Sequence, residues 1–287
     1  MQDLVSGIAL GSTYVLLAIG LSMIYGILRI IHVAHAGVYV IGAWAGYLVW
    51  RSTGSLLLAV IAGAVAGAVA GVAVLQLVYR PMLDKPRYVP LIASVGVFIL
   101  VADLMAKPWL LGPNPHQMNV KPPLPALRVG DIGVSGTALF VVLTAALLLV
   151  MLWLVFSRTQ VGLRWQAIAA DRELAGASGI DVNRAVLSNF AFGSALAGAA
   201  GVAYAAYTGS VFATMGDVPS YKAFVVVVLG GLGNVWGTVV AGFGLALLET
   251  LLIANFGYLL PRDALAFIVL ILVLMVRPRG LFGRAVA

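Results

Sequence analysis

The chain has 287 residues, of which 62% are hydrophobic and 9% charged, and its mean hydropathy of +1.08 means far more apolar surface than one soluble core can bury. Lipid must therefore be its solvent. The absence of cysteine excludes disulfides and thiolate metal sites, and the net charge of +7 lies between hydrophobic runs instead of on an aromatic-studded face, which sets nucleic-acid binding aside.

About 20 apolar residues cross a hydrocarbon core of roughly 30 Å, and the first such run is 4 to 27. No basic residue precedes it, Arg29 being the first, so a span is expected here and not a cleavable signal. Further runs follow at 33 to 50, 55 to 78, 89 to 106, 134 to 156, 186 to 208 and 262 to 276. The longer stretch from 222 to 254 is interrupted by Gly230, Gly231, Gly233 and Asn234, which predicts a short membrane-inserted segment followed by a full helix. The expected fold is therefore all-α: a polytopic membrane protein of about eight transmembrane helices plus a short broken or re-entrant segment, in one transmembrane domain, 1 to 287.

Placing the 157 to 184 loop in the cytoplasm puts 11 of the 17 Lys and Arg inside, including Arg29, Lys85, Arg87 and Arg284. Six fall outside: Arg51, Lys107, Lys121, Arg128, Lys222 and Arg262. Basic loops stay cytoplasmic, so the N-terminus is expected outside and the C-terminus inside. The proline-rich segment 108 to 132 then becomes an external loop, either a connector or a cover over a pathway mouth. Glycines four apart, as Gly63, Gly67 and Gly71, Gly7 and Gly11, or Gly42 and Gly46, predict faces where helix backbones approach closely; tight packing is the reading taken, with a dimer interface as the alternative.

Several chemistries are missing. None of the four lysines stands in a phosphate-cradling G-x-x-x-x-G-K-[ST] loop, so the chain is not its own ATPase. No metal-ligand spacing surrounds His32, His35 or His116, and no G-x-S-x-G is present, so neither catalytic nor metal residues are assigned. Ionisable groups inside a membrane are functional candidates by default. Asp103 reads as an interface-proximal residue, whereas His35 and Glu249 flank glycine-interrupted segments of the kind that form transporter binding regions. Together with Tyr25, Gly230, Gly231, Gly233 and Asn234 they are the candidate substrate pathway.

The most polar helix-compatible stretch, "GLRWQAIAADRELAGASGID" at 162 to 181, carries Arg164, Asp171, Arg172, Glu173 and Asp181 between nearly uncharged runs. Read as one helix over 163 to 178, it places Arg164, Ala167 or Ile168, Asp171 and Ala175 along one face, with Gly179 ending it in a left-handed cap.

Its Ala-x-Asp-Arg-Glu core and Gly-Ile exit resemble the cytoplasmic coupling segment of branched-chain amino-acid ABC importer permeases. "GIALGSTYVLLAIGLSMIYGILRIIHVAHAGVYVIGA" looks like that family's first two spans, "VVVVLGGLGNVWGTVVAG" like its glycine-rich late segment and "LVLMVRPRGLFG" like its C-terminal signature. The matches run in order over nearly the whole chain. The resemblance implies a multi-pass permease of the bacterial inner membrane, driven through partners by alternating access. Those partners are two cytoplasmic ATPase subunits that bind ATP and Mg, a periplasmic substrate-binding protein and a second related permease, giving a heterodimer or, alternatively, a homodimer. It implies no cofactor in this chain, and it carries the coupling role onto Arg164, Ala170, Asp171, Arg172, Glu173, Gly179 and Ile180. Where the family commonly has Ala-His-Gly and then an acid, this chain has Ala34, His35, Ala36 and Gly37, so no acidic role carries over there. Branched-chain or related amino acids are the implied substrates, with urea, short amides or aromatic acids as the alternative within the family and an ion-coupled carrier as the alternative outside it.

Overall fold

In the computed structural model, residues 2–121, 124–129, 132–257 and 261–283 are described. The helices in chain order are α1 (Gln2–Leu28), α2 (His35–Thr53), α3 (Leu56–Val74), α4 (Tyr88–Met105), α5 (Gly136–Arg158), α6 (Gln160–Ala170), α7 (Arg172–Ala177), α8 (Val182–Thr208), α9 (Asp217–Gly230), α10 (Val235–Phe256) and α11 (Arg262–Val276). Every predicted span is a helix. Six of them, α1, α3, α4, α5, α8 and α10, are long and apolar enough to cross a membrane unaided. Helix α2 is diluted by His35, Arg51 and several aromatic or hydroxylated side chains in its 19 residues, and α11 is a 15-residue apolar helix. The protein is thus an all-α polytopic membrane protein.

The interrupted stretch 222 to 254 resolves as expected into a short helix and a long one, except that α9 starts earlier, at Asp217. Gly231 (φ 97°) and Gly233 (φ 81°) occupy backbone conformations open to glycine. The Asn234 side chain caps α10 by accepting from the Gly237 N–H at 3.0 Å.

Helices α1 and α8 form the centre: 72% of their apolar windows is buried, against 17% for α4 and α5, which stand at the rim. The glycine rows explain how the centre closes. A Cβ at Gly63 or Gly67 of α3 would collide with the α8 backbone near Gly198, and one at Gly42 of α2 would strike Gly198 itself. Gly7 and Gly11 likewise admit Leu247 and Phe243 of α10. The rows therefore serve packing within the chain, where contact replaces the missing hydrophobic drive between helices in lipid.

Two short sheets form in the segments between helices. In the first, β1 (His116–Gln117) pairs antiparallel with β4 (Ser210–Val211); in the second, β2 (Leu127–Val129) pairs with β3 (Ile132–Val134). The His116 ring lies 5.5 Å from both the Trp44 and Tyr47 rings, and Leu111 and Met118 are buried in the core. The proline-rich segment is thus tied down onto α2 at Trp44 and Tyr47 over its described part. Lys222, counted from sequence among the external basic residues, is instead buried inside the bundle at 1% exposure. Arg284 lies outside the described residues.

Candidate functional site

The polar island of the sequence forms a two-helix ledge, α6 and α7, between α5 and α8. Thr159 caps α6 by accepting from the Gly162 N–H, and the missing side chain of Gly162 lets α6 fold back against the end of α5 at Val155 and Phe156. Trp165 and Ile168 turn into the core, and the indole N–H of Trp165 donates to Ser188 Oγ at 3.0 Å, so α6 is bolted to α8. The continuous helix expected over 163 to 178 is broken at Asp171, whose backbone is extended (φ −151°, ψ 114°). The cause is local: its carboxylate accepts from the Glu173 and Leu174 N–H groups, both at 2.9 Å, and starts α7 as an N-cap. Gly179 ends the ledge with φ 84°, as expected, and Asp181 caps α8 through the Arg184 N–H.

This break sorts the seven coupling candidates into two hollows. Ala170, Asp171, Arg172 and Glu173 line one of about 450 Å³ together with Arg29, Lys85 and Arg87. Arg164, Gly179 and Ile180 line a second of about 470 Å³ with Val161 and Arg184. All but the half-buried Ile180 are exposed. In the sequence Arg29, Lys85 and Arg87 read only as orientation charges, because a contact between three separate loops leaves no spacing signal. One local signal exists at Arg29, which sits at φ 53° where a helix C-cap ordinarily has glycine.

Within the bundle, His35 lines a cavity of about 380 Å³ with Leu17, Leu21, His32, Ser220, Tyr221 and Phe224 among its walls. Helix α2 starts at His35, and α3 passes into a π-turn (Leu75–Tyr79) that brings the fully buried Tyr79 hydroxyl to 2.6 Å from His32 Nδ1. Such π-turns break the helical register and often mark functional positions. The His32 and His35 rings meet edge-on with centroids 5.3 Å apart. His35 Nε2 faces the α1 backbone at Gly20, and the nearby Leu17 carbonyl does not reach ordinary hydrogen-bond geometry.

The other pathway candidates lie elsewhere. Gly230, Gly231, Gly233, Asn234 and Tyr25 gather where α9, α10 and the C-terminal end of α1 meet. There Gly233 packs on Gly26 beside Tyr25, Gly230 on Gly237, and Gly231 on Gly283. The C-terminal segment closes this corner: Asn234 Nδ2 donates to the Phe282 carbonyl at 2.9 Å and the Leu281 N–H to the Leu229 carbonyl at 2.7 Å. These residues make a tight turn and line no wall of the His35 cavity.

Glu249 forms a third feature. Its two oxygens accept from Lys222 Nζ at 3.0 and 2.9 Å, and Tyr14 OH bonds both partners, at 2.8 Å from Nζ and 3.3 Å from Oε2. Asp263 Oδ1 lies 3.6 Å from the same ammonium. With side chains 2% and 0% exposed, Lys222 and Glu249 are a neutralised intramembrane pair joining α9 to α10, and through Tyr14 to α1. Asp103, by contrast, makes only an exposed pair with Lys107 one turn away. Among the described residues no group of three or more metal-ligating side chains occurs.

Comparison with known proteins agrees with this picture. A family model described as branched-chain amino acid transport system / permease component matches residues 4–276. The chain is 31% identical to the high-affinity branched-chain amino acid transport system permease protein LivH of Escherichia coli, over 99% of this chain and 96% of that protein. It is equally similar, at 31% and the same coverage, to the corresponding permease protein BraD of Pseudomonas aeruginosa. A probable branched-chain amino acid transport permease protein LivH of Methanocaldococcus jannaschii is 24% identical over 94% of this chain and 88% of that protein. No solved structure matches the chain.

Proposed function

The chain belongs to the branched-chain amino acid transport system permease family, and from that premise we propose that it is the membrane half of an ATP-driven importer of branched-chain or related amino acids. ATP and Mg bind to two cytoplasmic ATPase subunits, a periplasmic binding protein delivers the substrate, and a second related permease completes the pore.

The observation that carries this reading is the ledge of α6 and α7. It is charged on its free side, anchored to α8 through Trp165, with Ile168 buried beside it, and flanked by two hollows that hold all seven coupling candidates. A push on the ledge therefore reaches the central helix directly. A substrate can shift a conformational equilibrium only by its differential affinity for the two states, so nucleotide binding in the partner must supply most of the drive. The neutralisation of Glu249 by Lys222 argues against an ion-coupled carrier, because a carboxylate held by two charge-assisted bonds is a poor relay. The mostly aliphatic walls of the His35 cavity favour branched side chains over urea or short amides.

The test separates capping from docking. Asp171→Lys destroys the α7 cap as well as the charge, so the informative pair is Asp171→Asn, which keeps the cap, and Glu173→Lys. Both variants are expected to fold and insert normally, while Glu173→Lys loses co-purification of the ATPase and ATP-dependent uptake in proteoliposomes. Undiminished ATPase capture by the combined variant, or uptake driven by a proton or sodium gradient without ATP, overturns the reading.

A further inference from the structure

We propose that the cavity between α1, α2 and α9 is a transit site that holds a small aliphatic carboxylate by its apolar chain and its carboxylate, leaving the ammonium of an amino acid unrecognised. The proposal rests on the importer reading for its choice of ligand, but its geometry stands alone.

The cavity has the size of a small-molecule site, about 380 Å³ in a range of roughly 300–1,000 Å³. Its walls are mostly aliphatic or aromatic: Leu17 and Leu21 of α1, Ala36 of α2, Leu91 of α4, and Ala223 and Phe224 of α9. Two histidines, Ser220 and the hydroxyl of Tyr221 break this surface, and both histidines are almost wholly buried, His32 at 1% and His35 at 3% exposure. Buried polar atoms are nearly always hydrogen-bonded, and those that are not call for an explanation. His32 Nε2 and both ring nitrogens of His35 have no hydrogen-bond partner among the described residues. Tyr79 engages His32 Nδ1 and so orients that ring, leaving Nε2 for a ligand.

Each neutral imidazole carries one N–H, so the two rings together offer up to two donors, which an anion or another acceptor satisfies. His35 opens the 19-residue α2 and His32 lies three residues before it, at the positive pole of that helix, which favours a carboxylate. No carboxylate side chain lines the cavity. The nearby intramembrane acid, Glu249, is already committed to Lys222. An ammonium finds no counter-charge in the walls and must remain at the open side, while a branched chain is matched by the aliphatic wall. Gly20 is what admits the His35 ring, since a Cβ there would press on His35 Nε2 and on the Gly193 carbonyl of α8.

The chain contains no cysteine, so a single Ala223→Cys provides a clean reporter inside the cavity. The measurement is its maleimide labelling rate in membranes, with the permease partners present, in nucleotide-free and vanadate-trapped states. L-Leucine and 4-methyl-2-oxopentanoate, which lacks the ammonium, are expected to slow labelling equally, and 3-methylbutylamine, which lacks the carboxylate, to leave it unchanged. Adding His35→Leu should weaken protection by about tenfold in ligand concentration, the equivalent of one charged hydrogen bond, while the reporter thiol still labels and so shows an intact cavity. Protection by the amine, absence of protection by the oxo acid, or failure to label in both states overturns the proposal. Protection obtained in membranes where ATP-driven uptake is absent would instead leave the site standing and remove the importer reading.

Discussion

The buried pair of Lys222 and Glu249 offers the sharpest energetic test of how this bundle is held together. At 2.9 Å and an effective dielectric near 20, two unit charges attract by about 6 kcal/mol, but much of that only offsets the cost of taking both from water. Removing one partner is different, since it strands a buried charge and costs about 3–5 kcal/mol. At about 2–4 °C per kcal/mol for a domain of this size, Lys222→Met should lower the melting temperature by roughly 6–20 °C. Glu249→Gln should cost less, because the ammonium keeps Tyr14 OH at 2.8 Å and has Asp263 at 3.6 Å. The double variant Lys222→Met with Glu249→Met buries no charge and should recover most of the loss. Thermal unfolding of the purified permease, followed by size-exclusion chromatography with fluorescence detection, reads all three. A double variant as unstable as Lys222→Met refutes the neutral-pair reasoning. Loss of uptake in Glu249→Gln at unchanged stability would make the carboxylate part of transport and not of the scaffold.

Two further outcomes follow from backbone geometry. Gly198→Val should force α8 away from Gly63 and Gly67 of α3 and from Gly42 of α2, an overpacking cost of about 1–3 kcal/mol or more; a yield and melting temperature equal to the parent would contradict the packing role of the glycine rows. Arg29→Gly relieves a left-handed backbone at φ 53° and should gain up to about 1 kcal/mol. It should nevertheless reduce ATPase capture by removing a cation from the hollow beside Glu173. A fall in melting temperature would show that the Arg29 side chain stabilises the fold in its own right.

The amino-acid sequence determined what hydropathy, charge and local stereochemistry can express. Runs of apolar residues marked the long helices and Gly231–Asn234 the break after α9, because backbone hydrogen bonding in lipid leaves helix as the way to cross. The basic loops gave an expected orientation, and "RWQAIAADRELAGASGI" stood out since charge outside lipid needs a reason. Even there, the cap at Asp171 prevailed over the helical periodicity, since an Asp carboxylate two residues before a free N–H competes with continuing the helix. Tertiary structure alone decided which groups meet. Tyr14 reaches Lys222 across 208 residues and Tyr79 reaches His32 across 47. Neither distance leaves a periodic trace, and a Lys at the end of an apolar run looks like a topology charge until its partner is in place. The same holds for the cavity: His35 was visible as an oddity, but only the packing of α1, α2 and α9 around it sets its unpaired nitrogens beside an apolar wall.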